Sequence, residues 1–288
     1  MSVPAAFDYH PATSVDEAIA LLQQYGDEAK LLAGGHSLIP AMKLRLSQPE
    51  HLIDIGKISS LSYIREEQDH IVIGGLTTYV QIEQSDLLRK HFPLLPEATS
   101  MVGDQQVRNR GTIGGSIAHS DPAADLPGVV LALKAEIVVQ GPQGKRTIPA
   151  DDFFVDTFTT ALAPDEILIE FRLPKATGST GSAYDKLANK ASHYAIAGCA
   201  AVITRGQDGS CSAASIAITG ATVRTIRARA VENALVGKQL SETVIAEAVS
   251  HATDGEDMIV DIHGSEEYRR KMAAVVARRA IMRALERI

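Results

Sequence analysis

The chain has 288 residues, a length that suits two domains or one domain with sub-lobes, because single hydrophobic cores rarely grow much beyond ~250 residues. Its 45% hydrophobic and 22% charged residues are those of a globular protein, neither disordered nor fibrous. A formal net charge of −7, a pI near 5.7 and 5% aromatic residues with no Trp argue against nucleic acid as a partner, since that binding rests on a basic footprint and stacking rings.

Ser14, with Glu17 three residues on, reads as a capping box, and the apolar stripe through Ile19 and Leu22 to Gly26 predicts a helix over 15–25. Ala29 to Ala33 reads as a strand running into the glycine turn Gly34-Gly35-His36-Ser37. Leu38 to Leu46 follows as helix or turn and His51 to Ile55 as a strand, a β-α-β-like opening. His70 to Gly75 is a strand, and Thr77 to Ser85 and Pro93 to Met101 look helical. A second glycine turn, Gly111 to Ser116, precedes a helix over Leu126 to Lys134, then strands over Ala135 to Gln140 and Glu166 to Leu173. Pro174 to Ser182, rich in Gly, Ser and Thr, breaks the pattern and is the expected domain boundary. Beyond it, Ile196 to Thr204 and Ser212 to Thr219 are β-rich runs joined through Asp208-Gly209, a hairpin signal. Helices are expected over Ile226 to Leu235, Ser241 to Ser250 and Ser265 to Arg287. Strands and helices mix without regular βα alternation, which argues an α+β fold.

Cys199 and Cys211 are the only cysteines, and an iron–sulfur cluster generally needs about four thiolates, so this chain is not expected to carry one. The nine histidines are scattered, and no metal site is expected. No apolar run approaches the roughly 20 residues of a membrane span, and Met1 to His10 lacks a signal-peptide layout, so a cytoplasmic protein is expected.

The two glycine turns carry the chemistry. Without a Cβ in the way a phosphate can approach the backbone, and successive N–H groups at a turn or helix start form an anion cradle. Ala33 to Ser37 and Thr112 to Ser116 each offer Gly-Gly beside a hydroxyl residue, and two such cradles could grip the two phosphates of one dinucleotide. A plain turn is the other reading of either copy. Neither has the spacing of G-x-G-x-x-G or of G-x-x-x-x-G-K-[ST], which disfavours a nicotinamide Rossmann site and a P-loop.

Ala33-Gly34-Gly35-His36-Ser37-Leu38-Ile39-Pro40 and Gln106-Val107-Arg108-Asn109-Arg110-Gly111-Thr112-Ile113-Gly114-Gly115-Ser116 together closely resemble the FAD subunit of molybdenum hydroxylases, the xanthine oxidase family, and most of all its aerobic carbon monoxide dehydrogenase type. Phe7 to His10, Pro49 to Asp54 and Tyr184 to Leu187 extend the likeness over nearly the whole chain. The resemblance implies a two-lobed FAD-binding domain of the vanillyl-alcohol-oxidase/PCMH type over 1–177, with sub-lobes about 1–56 and 57–177. A smaller α+β C-terminal domain of the carbon monoxide dehydrogenase flavoprotein type would occupy 178–288.

By the same resemblance, Leu32, Ala33, Gly34, Gly35, His36, Ser37 and Leu38 hold the FAD pyrophosphate and ribityl region together with Thr112, Ile113, Gly114, Gly115 and Ser116, and Val102 joins them. Asp125 would contact the cofactor's sugar or chain hydroxyls, or else is only a charge at a helix start. Leu168 and Lys186 would line the flavin ring, the alternatives being a strand core residue and a solvated charge. Tyr194 would lie against the isoalloxazine. His193 departs from the acidic or small residue of similar chains and leaves the acceptor choice open. Arg108 and Arg110 could meet phosphate or pair with acids such as Asp104, and the basic face of the last helix could dock a partner or stay solvated.

The function implied is electron transfer: a large molybdenum-cofactor subunit oxidises the substrate, a small [2Fe-2S] subunit relays electrons, and FAD here passes them to an external acceptor. Molybdopterin and clusters would sit on the partners only, in a dimer of heterotrimers in the cytoplasm or at the inner face of the membrane, and no residue of this chain is expected to be catalytic toward the substrate. A stand-alone flavoenzyme and a non-redox nucleotide-binding module are the competing classes.

Overall fold

The computed structural model describes residues 3–176 and 178–288. Thr177, on which the expected domain division falls, lies outside the described residues, as do Met1 and Ser2.

The Ser14 hydroxyl accepts the Glu17 N–H at 3.1 Å and starts the helix Val15–Tyr25. Its apolar side, Ala18, Ile19 and Leu22, packs on a three-stranded parallel sheet ordered Asp8–Pro11, His51–Asp54, Ala29–Leu32. This first lobe leans on a five-stranded antiparallel sheet ordered Ile64–Glu66, His70–Gly74, Ile167–Pro174, Glu136–Gly141, Gly144–Pro149. Alternation divides that sheet between two cores: Val138, Ile167 and Ile169 face the first lobe, while Ile137, Val139, Leu168 and Phe171 face the helices on the other side. Those helices include Tyr79–Gln84, Leu94–Ser100, Ile113–His119 and the wholly buried Asp125–Ala132.

A second antiparallel sheet, ordered Ser179–Ala188, Ala195–Arg205, Cys211–Thr219, Ile226–Arg227, forms the C-terminal part. The helix Glu266–Leu285 covers one face through Ala183, Ala197, Cys199 and Ala201, while Tyr184, Ala200 and Ala217 on the other face join the core around Asp125–Ala132. The sheet is covered on both faces, so its central strand Ala195–Arg205 is buried and apolar along most of its length rather than alternating. Polar ties cross the same junction. The Thr219 hydroxyl lies 2.6 Å from the carbonyl oxygens of both Pro122 and Ala124, and Arg283 and Arg287 pair with Glu97.

Mixed helix and sheet content agrees with the α+β expectation. Three local expectations change. Gly111 to Ser116 is no turn: Thr112 caps a helix, Ile113–His119, with both glycines in its first turn. The Gly/Ser/Thr-rich break after Pro174 is shorter than expected, because Ser179 and Thr180 already pair with Arg205 and Thr204. Ile226 to Leu235 is not helical throughout, since Ile226 pairs with Ile218 before the helix Arg229–Leu235 begins.

Candidate cofactor site

Between the strand Ala29–Leu32 and the helix Leu38–Lys43 the chain turns through Gly35, whose φ of 79° is left-handed and favours glycine. The main-chain N–H groups of Gly34, Gly35, His36 and Ser37 have no acceptor among the described residues. Four consecutive free donors at a turn make an anion cradle.

The second motif works differently. Ile113 N–H donates to Thr77 O at 3.0 Å, Gly114 N–H to Gly75 O at 2.8 Å, and the Gly115 N–H to the Thr112 hydroxyl at 3.1 Å. Its donors are therefore consumed inside the protein. What the glycines supply is closeness: a Cβ on Gly114 would stand 2.5 Å from Gly75 O, and one on Gly34 would run into the Arg110 carbonyl. The two motifs, about 70 residues apart in sequence, thus lie back to back, and the Thr112 and Ser116 side chains face the same space as the free cradle.

That space is a cavity of about 530 Å³. Ala33 to Leu38 form one wall and Thr112, Gly114, Gly115 and Ser116 another, while Val102, Asp125, Leu168 and Tyr194 also line it. Leu32, Ile113 and Lys186 stand behind the lining. Leu32 packs beneath Gly35, Ile113 is fully buried in the core, and Lys186 lies under Asp125.

Asp125, the first residue of its helix, has a side chain only 4% exposed. It accepts the Tyr184 hydroxyl at 2.5 Å on one oxygen and the Lys186 ammonium at 2.9 Å on the other. Burial pushes the Asp125 carboxyl up, opposed by Lys186 and Tyr184, and burial beside Asp125 pushes the Tyr184 phenol up. Lys186 spends its other donors on the main-chain oxygens of Met101, at 2.9 Å, and His193, at 2.7 Å.

Tyr194 ends a turn built on Asn189, whose N–H donates to Tyr194 O at 2.8 Å and whose carbonyl accepts His193 N–H at 2.9 Å. His193 is left-handed at φ 62° and lines the cavity beside Tyr194.

Arg108 does not reach the cavity, pairing instead with Glu83 at 3.0 Å rather than with Asp104, whose carboxylate caps the helix Gln105–Arg110. On the last helix Arg269, Arg270, Lys271, Arg278, Arg279 and Arg283 each pair with an acid of this chain; Arg269 is buried, while Lys271 and Arg279 stay largely exposed.

Sequence reasoning missed Tyr79, Asp121, His119 and Phe158, which also line the cavity. Phe158 and Ser120 are both left-handed, at φ 53° and 51°, and Phe158 N–H donates to Ser120 O at 3.1 Å. Nothing in their residue types marks that conformation.

Among the described residues no cluster of three His, Cys, Asp or Glu could hold a metal, and no helix is long and apolar enough to cross a membrane. Cys199 and Cys211 are free and buried.

Residues 5–176 match the family profile described as FAD binding domain in molybdopterin dehydrogenase, and residues 182–284 match the CO dehydrogenase flavoprotein C-terminal domain. The chain is 43% identical over 279 residues to the carbon monoxide dehydrogenase medium chain of Hydrogenophaga pseudoflava, covering 97% of each. It is 39% identical to the 6-hydroxypseudooxynicotine dehydrogenase complex subunit alpha of Paenarthrobacter nicotinovorans, covering 99% of this chain and 96% of the other. A solved structure of carbon monoxide dehydrogenase from Hydrogenophaga pseudoflava contains a chain that superposes with a TM-score of 0.96 at 45% identity, covering 99% of both.

Proposed function

Because the chain belongs to the FAD-binding subunits of molybdopterin dehydrogenases, we propose that it is the electron outlet of a carbon monoxide dehydrogenase-type complex. Its partners in this reading are a large molybdenum-cofactor subunit and a small [2Fe-2S] subunit, arranged as a dimer of heterotrimers, with an external electron acceptor. The complex stands in the cytoplasm or at the inner membrane face through those partners. Carbon monoxide is the substrate favoured by the relatives' names.

The observation that carries this reading is the row of free N–H donors at Gly34 to Ser37, facing a cavity large enough for a nucleotide cofactor. Those donors would hold the anionic diphosphate of FAD, and the hydroxyl residues Thr112 and Ser116 line the same cavity. Gly114 and Gly115 bring that second wall close. Asp125 and Val102 flank the same cavity, and Leu168 and Tyr194 supply apolar and aromatic walls that exclude water from the ring. FAD supplies two-electron redox chemistry that can proceed in single-electron steps. No side chain of this chain acts as acid, base or nucleophile toward the substrate, which meets only the partner.

A second substrate class, N-heterocycles, is favoured by the similar identity to the 6-hydroxypseudooxynicotine dehydrogenase chain. Purifying the complex through this chain and offering carbon monoxide, N-heterocycles, purines and aldehydes with an artificial acceptor separates them. A yellow complex containing molybdenum and iron, reduced by carbon monoxide, is the expected result. A chain that turns over a substrate without partners overturns it.

A further inference from the structure

Among the described residues Lys186 is the one cation that touches three walls of the cavity while standing outside it. An ammonium has three donors, and each goes to a different segment. The Asp125 carboxylate, which lines the cavity itself, takes one at 2.9 Å. The second goes to Met101 O at 2.9 Å, the residue before the lining Val102. The third goes to His193 O at 2.7 Å, the residue before the lining Tyr194. The side chain is only 5% exposed, so the bonds form away from competing water. Its base is firm, because Lys186 lies in the strand Ser179–Ala188 and pairs with Gly198.

His193 makes the third bond consequential. A non-glycine residue at φ 62° is held there only when its surroundings over-determine it. The Asn189 turn supplies one hold, through His193 N–H, the Ser192 hydroxyl a longer one, at 3.3 Å to Tyr194 N–H, and Lys186 the shortest, at 2.7 Å to His193 O. Without Lys186 the peptide between His193 and Tyr194 keeps only the long Ser192 contact, so it can rotate and the Tyr194 ring turns with it.

We propose that Lys186 is a positioning residue, which sets the Tyr194 ring against the cofactor by clamping the His193 carbonyl to Asp125 and Met101, and does not itself contact the flavin. This rests on the reading that Tyr194 walls the flavin ring. An aromatic side chain packed on a flavin quenches its fluorescence and shapes its visible circular dichroism, signals that a merely destabilised fold would not move in this pattern.

The test uses the assembled FAD-loaded complex with Lys186→Gln, Tyr194→Leu and the double variant, and reads FAD content, flavin fluorescence and visible circular dichroism. Lys186→Gln should keep FAD, because the Gly34 to Ser37 donors are untouched, yet raise bound-flavin fluorescence severalfold, as Tyr194→Leu does. In the Tyr194→Leu background Lys186→Gln should add nothing, the signature of one shared path. If Lys186→Gln fails to fold, His193→Val perturbs the same turn by left-handed strain without unpairing Asp125, and should give the same change. Flavin signals that respond to Tyr194→Leu but not to Lys186→Gln or His193→Val overturn the clamp, as do additive effects in the double variant. Signals that ignore Tyr194→Leu overturn both the clamp and the placement of Tyr194 at the ring.

Discussion

The α-carbon of Gly114 stands so close to the main-chain oxygen of Gly75 that a Cβ there would lie 2.5 Å from it. The Gly114 N–H donates to that same oxygen at 2.8 Å, so the helix Ile113–His119 is pinned to the end of the strand His70–Gly74 at the cavity wall.

Gly114→Ala should therefore move this wall. Overpacking of a tight contact costs about 1–3 kcal/mol, and if half of that falls on the cofactor's seat, FAD binding weakens about tenfold per 1.4 kcal/mol. Titration of deflavinated complex with FAD checks this. Unchanged affinity would mean that the wall does not hold the cofactor.

In the proposed reading Tyr194→Ala should alter flavin reoxidation more than FAD content, since Tyr194 lines the cavity while the free N–H donors of Gly34 to Ser37 would grip the cofactor. Stopped-flow reoxidation beside a flavin assay separates the two. Normal reoxidation with lost FAD would reverse the assignment.

Glu97, on the helix Leu94–Ser100, ties that helix to the strand Ser179–Ala188 and to Arg283 and Arg287. It accepts Arg287 through two bonds, at 2.8 and 3.0 Å, as well as Arg283 and the Tyr184 N–H. Burial pushes the Glu97 carboxyl up, but Arg287, Tyr184 N–H and Arg283 outweigh it and hold the group below its ordinary value of 4.5. The folded pKa lies under the unfolded one, so this stabilisation is full above pH 4.5 and disappears as pH falls through the folded value. Glu97→Gln should cost about 1–3 kcal/mol at neutral pH and flatten the loss of Tm in acid. An acid profile parallel to that of the wild type would show that Glu97 does not set it.

Cys199 and Cys211 are buried, and burial pushes both thiols up, Cys199 above all. Neither should react with a thiol reagent in the native chain, and both should react after unfolding. Rapid native labelling would contradict their burial.

Much of the site was legible because its residue types are local signals. Gly34 and Gly35 after an apolar strand read as a cradle, and their N–H groups, with those of His36 and Ser37, have no acceptor among the described residues. The second motif read as another cradle, yet its donors end on Thr77 and Gly75, partners more than 30 residues away that no local pattern names. Thr112, three residues before Gly115, carried a capping signal that the poor helix propensity of two glycines concealed. The strand Ser179–Ala188 was partly hidden for a similar reason, because Ser, Thr and Gly open it and only pairing with Ala195–Arg205 makes it a strand. The ion pair between Glu97 and Arg287 joins residues 190 apart and leaves no local trace. Lys186 was visible as a cavity residue only through resemblance, and its three bonds place it behind the wall instead.

The most direct measurement is the FAD content of complex purified through this chain, for the wild type and for Gly114→Leu, with circular dichroism to show that both are folded. The account predicts one FAD per wild-type chain and essentially none in the folded variant. Equal flavin in both would contradict the claim that the space between the two glycine motifs is the FAD site.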